Sequence, residues 1–242
     1  MLRVSVVIDS VFALRHEEER VFIGHLALGF AAKRAAPELP LGLAFLASEL
    51  PDAIWPVLVM TGVEHVSIAP GDTAVTPLRF DSYPISHSLL TVAVWGVLLA
   101  LAWRARRGSR RGAWLIGLLA VSHWVLDAVS HRPDLPLVPW GTTRVGLGLW
   151  NSLSGTLIVE PALLAVGVGL FATRPQARPG AGRVALAGLV LALVALYLAN
   201  IFGPPPPGIA AVAVVGLLAI PLLWVWGNWV DRRTSRGAPA AA

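Results

Sequence analysis

The sequence predicts an all-α fold, a polytopic bundle of about six to seven transmembrane helices. Of the 242 residues, 56% are hydrophobic and only 14% are charged, and the mean hydropathy is +0.70. A soluble domain of this length has no interior that could hide so much apolar surface, so we expect its solvent to be the lipid bilayer. The ten Trp residues, many of them near the ends of apolar runs, are typical of interfacial aromatic belts.

Apolar runs separated by Pro and Gly give the individual elements. The six runs that are long enough to cross, or nearly cross, a hydrocarbon core are 40–62, 84–103, 112–131, 148–172, 183–203 and 208–230. A shorter run at 21–36 predicts a seventh helix that ends at Lys33 and Arg34. The four prolines of 204–207 cannot be helical and predict a stiff connector outside the bilayer.

The chain is expected to form one transmembrane helical domain, residues 21–236, without an internal repeat. Residues 1–20 contain a short apolar run broken by Asp9. Because a signal peptide would have a cleaner apolar core and a small-residue cleavage site, we interpret these residues as an N-terminal extension and assign them no function. Residues 237–242 are expected to be a disordered tail.

Basic residues predict the orientation. They occur in four groups, and with seven crossings all four groups fall on one face, which the positive-inside rule makes cytoplasmic together with the C-terminus. The groups are Lys33 and Arg34, the arginines of 104–111, those of 174–183, and those of 232–236. The net charge of +5 therefore reflects membrane topology. The arginines form no aromatic-interleaved patch, so nucleic acid is not an expected partner.

One polar stripe interrupts the apolar run at 112–131. If this run is helical, His123, Asp127 and His131 stand one turn apart on a single face. Ionisable side chains at membrane depth are costly and usually functional. Imidazole and carboxylate suit Zn²⁺, Mn²⁺ or Fe²⁺, and the chain has no Cys that could offer a thiolate. The stripe therefore predicts a divalent metal site, with a purely structural Asp–His pair as the alternative.

Three further residues are expected in the same outer half of the membrane: His25, Asp52 and His87. Each has a structural alternative. His25, beside two glycines, could pack helices; Asp52 could cap a helix that a proline breaks; His87 could be interfacial between serines that cap a helix. His16 and His65 lie in polar loops and are expected to be solvated. Packing or support of the ligands is the role expected for Glu49, Asn151 and Glu160.

Four motifs follow one another in the chain: Gly24-His25, Leu50-Pro51-Asp52, Ser86-His87-Ser88, and the run from His123 to Asp134. In this order they resemble the bacterial membrane-bound metal-dependent hydrolases (YdjM-like), and the resemblance covers roughly residues 21–172. That family is in turn distantly similar to zinc-dependent phospholipase C and the related single-strand nucleases. The resemblance implies a multi-pass protein of the bacterial inner membrane, with its site toward the outer face.

The resemblance also implies a ligand set and a catalytic residue. The implied metal ligands are His25, Asp52, His87, His123, Asp127 and His131. Asp52 is the residue implied to bridge ions and to orient the attacking water. Many relatives carry a second acid where this chain has Ile54, and no His follows His131. The expected cofactor is therefore one or two divalent ions, Zn²⁺ first, with Mn²⁺ or Fe²⁺ as alternatives.

These observations lead to three hypotheses. The first is a metal-dependent hydrolase that cleaves a phosphoester of a lipid or lipid-linked substrate with a metal-activated water. The second is a transporter in which the polar stripe forms a cation or proton path, although the two repeated halves of many transporters are not found. The third is a structural membrane protein whose metal only locks the helices together.

Overall fold

The computed structural model describes residues 23–175, 177 and 182–235. Its α-helices are α1 (Ile23–Ala35), α2 (Leu41–Ser48), α3 (Leu50–Met60), α4 (Pro84–His87), α5 (Leu89–Ala105), α6 (Arg110–Ser130), α7 (Leu153–Ala172), α8 (Arg183–Phe202) and α9 (Ile209–Thr234). Its strands are β1 (His65–Ile68), β2 (Leu78–Ser82), β3 (Leu135–Pro136) and β4 (Arg144–Val145), and a 3₁₀ helix spans Leu149–Asn151. The expectations for 1–20 and 237–242, and for Arg178 and Arg236, lie outside the described residues.

Each of the seven predicted apolar runs contains a helix, but not every helix can span a bilayer. Within the described ranges, α6, α7, α8 and α9 are long and apolar enough, and α2 with α3 adds a fifth span if the bent pair counts as one. Helix α5 has 17 residues and α1 only 13, below the roughly 20 that a hydrocarbon core requires. The structure therefore supports four to five spanning helices and does not confirm six to seven.

Helix α1 is short because protein surrounds it. Its residues Ile23, Leu26 and Phe30 are fully buried, and the Phe30 ring packs edge-on against Phe45 of α2 and Phe171 of α7. Helices α2, α6, α7 and α8 all contact α1. By contrast, the outer faces of the long helices expose large apolar side chains, as expected for surfaces that meet lipid.

A small antiparallel hairpin covers one end of this bundle. Strands β1 and β2 pair with Val66 opposite Phe80, a pairing that the predicted all-α fold does not include. Their buried side chains pack against Trp55 of α3 and Val212 of α9. A turn with Gly71 at φ +87° lies between the strands, in a conformation that glycine adopts without a steric penalty. The hairpin therefore lies over the helix ends that carry the candidate ligands.

Candidate metal centre

The candidate centre is built at a break between two helices. Pro51 lacks an N–H, and its ring excludes the carbonyl one turn earlier, so α2 cannot continue through it. Helix α3 therefore starts at an angle of 57° to α2. This break leaves the Ser48 carbonyl without an intrahelical partner and puts Asp52 in the first turn of α3. Glu49 occupies the N-cap position of α3 and no side chain caps it, so Asp52 is not the cap that the alternative interpretation required.

Five of the six expected ligands converge at this break. The Asp127 carboxylate lies between three imidazoles: Oδ1 is 3.2 Å from His25 Nε2, and Oδ2 is 3.2 Å from His123 Nε2 and 3.8 Å from His87 Nε2. Asp52 Oδ1 lies 3.2 Å from His87 Nε2 and 3.9 Å from His123 Nε2. Neighbouring ligand atoms of a tetrahedral zinc site are about 3.3–3.6 Å apart, so these separations suit one shared cation.

The ligand atoms form two groups that share a member. His25, His123 and Asp127 offer atoms within 4.8 Å of one another, and so do Asp52, His87 and His123. His123 offers the same Nε2 atom to both groups, because its Nδ1 lies 2.7 Å from the Ser48 carbonyl oxygen. A ring nitrogen has one lone pair and binds one ion, so a second ion would have to rely on the carboxylates and on His25 or His87.

Hydrogen bonds fix which nitrogen of each imidazole faces the centre. A carbonyl only accepts, so His123 Nδ1 donates to Ser48 and Nε2 faces the centre. Ser86 Oγ donates to Glu64 Oε2 at 2.6 Å, so His87 Nδ1, also 2.6 Å from that hydroxyl, must donate to it. In the neutral form of each ring, the Nε2 lone pair would point toward carboxylate oxygens, which are also acceptors.

Acceptors that face acceptors in a buried site require a cation or a proton between them. His25 is buried, stacks on His123 with ring centroids 4.0 Å apart, and neither of its nitrogens has a hydrogen bond. Asp127 Oδ2 is likewise buried without a hydrogen bond. An unsatisfied buried polar atom costs about 1–3 kcal/mol, and several occur here in one place. The donor set and its unpaired atoms therefore fit a divalent ion.

His131, the sixth expected ligand, belongs to neither group. Its Nδ1 lies 3.0 Å from Asp134 Oδ1, and its ring packs beside Trp150 at the cavity wall. Burial opposes ionisation of Asp134, but the bonds from His131, Tyr83 and Arg132 outweigh it and lower the pKa of this carboxyl. Burial and the adjacent Asp134 raise the pKa of Tyr83 far above its usual value, so its hydroxyl remains a donor. Asp134 thus fixes the orientation of the His131 ring through Nδ1.

A cavity of about 80 Å³ adjoins the centre. Its polar side contains Glu49, Asp52 and His131. Its apolar side is formed by α9 from Val212 to Leu223 together with Trp55, Leu78, Phe80 and Trp150. Glu49 is 4% exposed and its Oε1 has no hydrogen-bond partner. A metal-bound water and a group attached to an apolar chain could therefore meet at this boundary.

The remaining polar residues either support the helices or face solvent. Ser88 caps α5 by accepting from Thr91 N, as the capping interpretation of the serines expected. Glu160 accepts from Gly24 N and so supports the turn that carries His25. Asn151 and His65 are exposed. Sequence reasoning missed the orienting partners of the ligands, namely Glu64, Ser86, Ser48 and Asp134.

The fold and the site define an integral membrane protein whose apolar helices surround a buried cluster of His and Asp side chains. The sequence model of the YdjM inner membrane protein family matches residues 19–204, which is most of the chain, and the chain therefore belongs to this family. No curated protein and no solved structure matches it. The match confirms the predicted membrane class and the YdjM-like resemblance; the distant likeness to zinc-dependent phospholipase C stays a prediction.

Proposed function

We propose that the chain is a membrane-embedded metal-dependent hydrolase that cleaves a phosphoester of a lipid or lipid-linked substrate. The observation that carries this proposal is the set of unpaired imidazole and carboxylate atoms beside a cavity with one apolar wall. A bound divalent ion, Zn²⁺ first and Mn²⁺ or Fe²⁺ as alternatives, would supply a water of lowered pKa and offset charge on a phosphoryl oxygen.

The position of each residue determines the role assigned to it. His25, His87, His123 and Asp127 are buried and are assigned to hold one or two ions, with His131 completing the set from the cavity wall. Asp52 is assigned as the catalytic residue because its side chain is 37% exposed and lines the cavity, where it can orient a water. The apolar stretch of α9 would accommodate the chain of a lipid substrate.

Turnover by the purified chain tests this function. With Zn²⁺ or Mn²⁺ added, we expect a phospholipid phosphoester to be hydrolysed, and Asp52→Asn to reduce kcat by about 100-fold or more. The matched control is Asp81→Asn, an exposed carboxylate of β2 that pairs with Arg79 and should leave kcat unchanged. Hydrolysis that survives chelation, or that Asp127→Ala leaves intact, would contradict the proposal.

The site is also proposed to lie toward the outer face. His25 is near the start of α1, His87 precedes α5 and His131 follows α6, whereas the described basic groups lie at the opposite ends of these helices. The positive-inside rule would put those ends and the C-terminus in the cytoplasm. Because the chain has no Cys, single Trp140→Cys and Arg106→Cys variants can be compared with an impermeant maleimide. Labelling of position 106 from outside, with 140 protected, would reverse the orientation.

One observation favours a second function, cation transport. The bent pair α2–α3 is a broken helix that carries Asp52, and broken helices bind ions in many transporters. Metal flux into proteoliposomes without hydrolysis of any phosphoester would support this alternative. A structural metal would instead show as a loss of thermal stability on chelation with neither flux nor turnover.

A further inference from the structure

A second cavity, of about 460 Å³, lies on the outer surface between α5 and α6. Its walls are apolar side chains, with small residues such as Ala100 and Gly117 along the floor. The groove shares no lining residue with the cavity at the candidate metal centre, and its charged end at Arg110 lies 13 residues of α6, or about 20 Å, from His123. No part of the proposed hydrolase function depends on it.

Two arginines close one end of this groove. Arg104, in the last turn of α5, and Arg110, at the start of α6, both line it. Neither forms an ion pair with a residue that the structure describes; Arg104 donates only to the Gly108 carbonyl of the connecting turn. Trp114 lies next to them with 76% of its surface exposed, at the depth where aromatic side chains mark a membrane interface.

The length of the groove matches one lipid leaflet. From Arg104 to Ala93 there are 11 residues of α5, about 17 Å, and half of a hydrocarbon core is about 15 Å. We propose that this groove binds one anionic phospholipid, with its phosphate on Arg104 and Arg110 and one acyl chain between α5 and α6. A second copy packed face to face would bring the same arginines together, and like charges oppose that arrangement.

Native mass spectrometry of the full-length chain tests the proposal. Protein in detergent is offered equal amounts of phosphatidylglycerol and phosphatidylcholine, and we expect about 10- to 30-fold preference for the anionic lipid from two arginine contacts. The double variant Arg104→Gln/Arg110→Gln should lose this preference. Its matched control, Arg106→Gln/Arg107→Gln, removes the same charge from the same turn, but at positions outside the groove.

A groove-filling variant tests the acyl-chain contact independently of charge. A Cβ built at Gly117 meets no atom within 4 Å, so the side chain of Gly117→Leu would start in open space and project into the groove. Gly188 of α8 has equally free space outside the groove, and Gly188→Leu is the control. We expect Gly117→Leu alone to reduce bound phosphatidylglycerol, with melting temperatures in lipid-free detergent showing that both variants fold.

Three results would overturn the proposal. Equal retention of the two lipids would mean that only general lipid contact occurs. Equal loss in both double variants would assign the preference to the net charge of the turn. Conversion of a dimer to a monomer by Gly117→Leu, without a change in bound lipid, would assign the groove to a second copy of the chain.

Discussion

Replacing Asp127 by Asn separates a metal ligand from a structural ion pair. The carboxylate contacts His25 through Oδ1 and His123 through Oδ2, each at 3.2 Å. An amide has nearly the same shape but no charge, and its N–H₂ group can donate to an imidazole lone pair. If a cation normally joins these groups, the variant loses the cation while relieving the contact between acceptors. If Asp127 instead forms an ion pair, the variant simply loses that pair.

The two cases predict changes in stability that differ in sign and size. Metal at 100 times its Kd would stabilise the wild type by about 2.7 kcal/mol, which for a chain of this length is a melting temperature about 5–11 °C higher. Without metal, Asp127→Asn should melt within a few degrees of the wild type, or above it, because one hydrogen bond contributes about 1 kcal/mol. Loss of a buried ion pair would instead cost about 3–5 kcal/mol with or without metal.

Thermal melting in detergent, with Zn²⁺ and with a chelator, measures both quantities. We expect the wild type to lose its metal-dependent increment on chelation and Asp127→Asn to have none. The control is Asp231→Asn, because Asp231 is a buried carboxylate paired with Lys33 at 2.6 Å and should lose stability equally in both conditions. The reasoning is refuted if Asp127→Asn behaves like Asp231→Asn and the wild type does not respond to chelation.

Further predictions concern support, packing and pH. Ser86→Ala removes the hydroxyl to which His87 Nδ1 donates, and should weaken metal binding by about 10- to 100-fold in a metal titration. The melting temperature should also fall, because the buried Glu64 carboxylate loses the same hydroxyl. Lys33→Met should cost about 3–5 kcal/mol of unfolding free energy, and adding Asp231→Leu should not restore it, because the buried Arg174 guanidinium, 3.8 Å from Asp231, would then be left unpaired. Burial opposes ionisation of Glu38, but the Ser109 hydroxyl outweighs it and lowers the pKa of this carboxyl below 4.5. Its contribution is present above pH 4.5 and disappears as the pH falls through the lowered value, so the small stability advantage over Glu38→Gln should vanish in acid melts.

Hydrophobic runs located the helices because apolar length is read directly from the sequence. They did not give the number of spans, since two features that reduce it depend on tertiary packing. Helix α1 needs only 13 residues because other helices surround it, and α4 and α5 are separate helices because the chain is extended at Ser88. The β1–β2 hairpin was missed because its strands are only four and five residues long.

The contacts of the candidate site also fall into those that the sequence predicts and those that depend on tertiary packing. Helical spacing alone placed His123 and Asp127 side by side, and the structure has them 3.2 Å apart. The approach of His25 and Asp52 to that pair required the family resemblance, because periodicity carries no information about which helices are neighbours. The sequence gives no indication that Glu64 supports a ligand. Glu64 acts on His87 only through Ser86, which is 22 residues away from it in the chain. Long-range polar contacts of this kind leave no pattern in a single sequence.

The family match has a further consequence for the cavity. Residues 19–204 contain every candidate ligand, whereas α9, which forms one part of the apolar wall, lies beyond the matched region. Helix α9 is held in place at its other end by the pair of Lys33 and Asp231, far along the helix from the wall. Substitutions between Val212 and Ile220 can therefore alter what fits against the metal centre without removing a donor atom or the contact that anchors the helix. On this arrangement α9 can change the shape of the cavity, whereas the matched region supplies the donor atoms and the rest of the apolar lining.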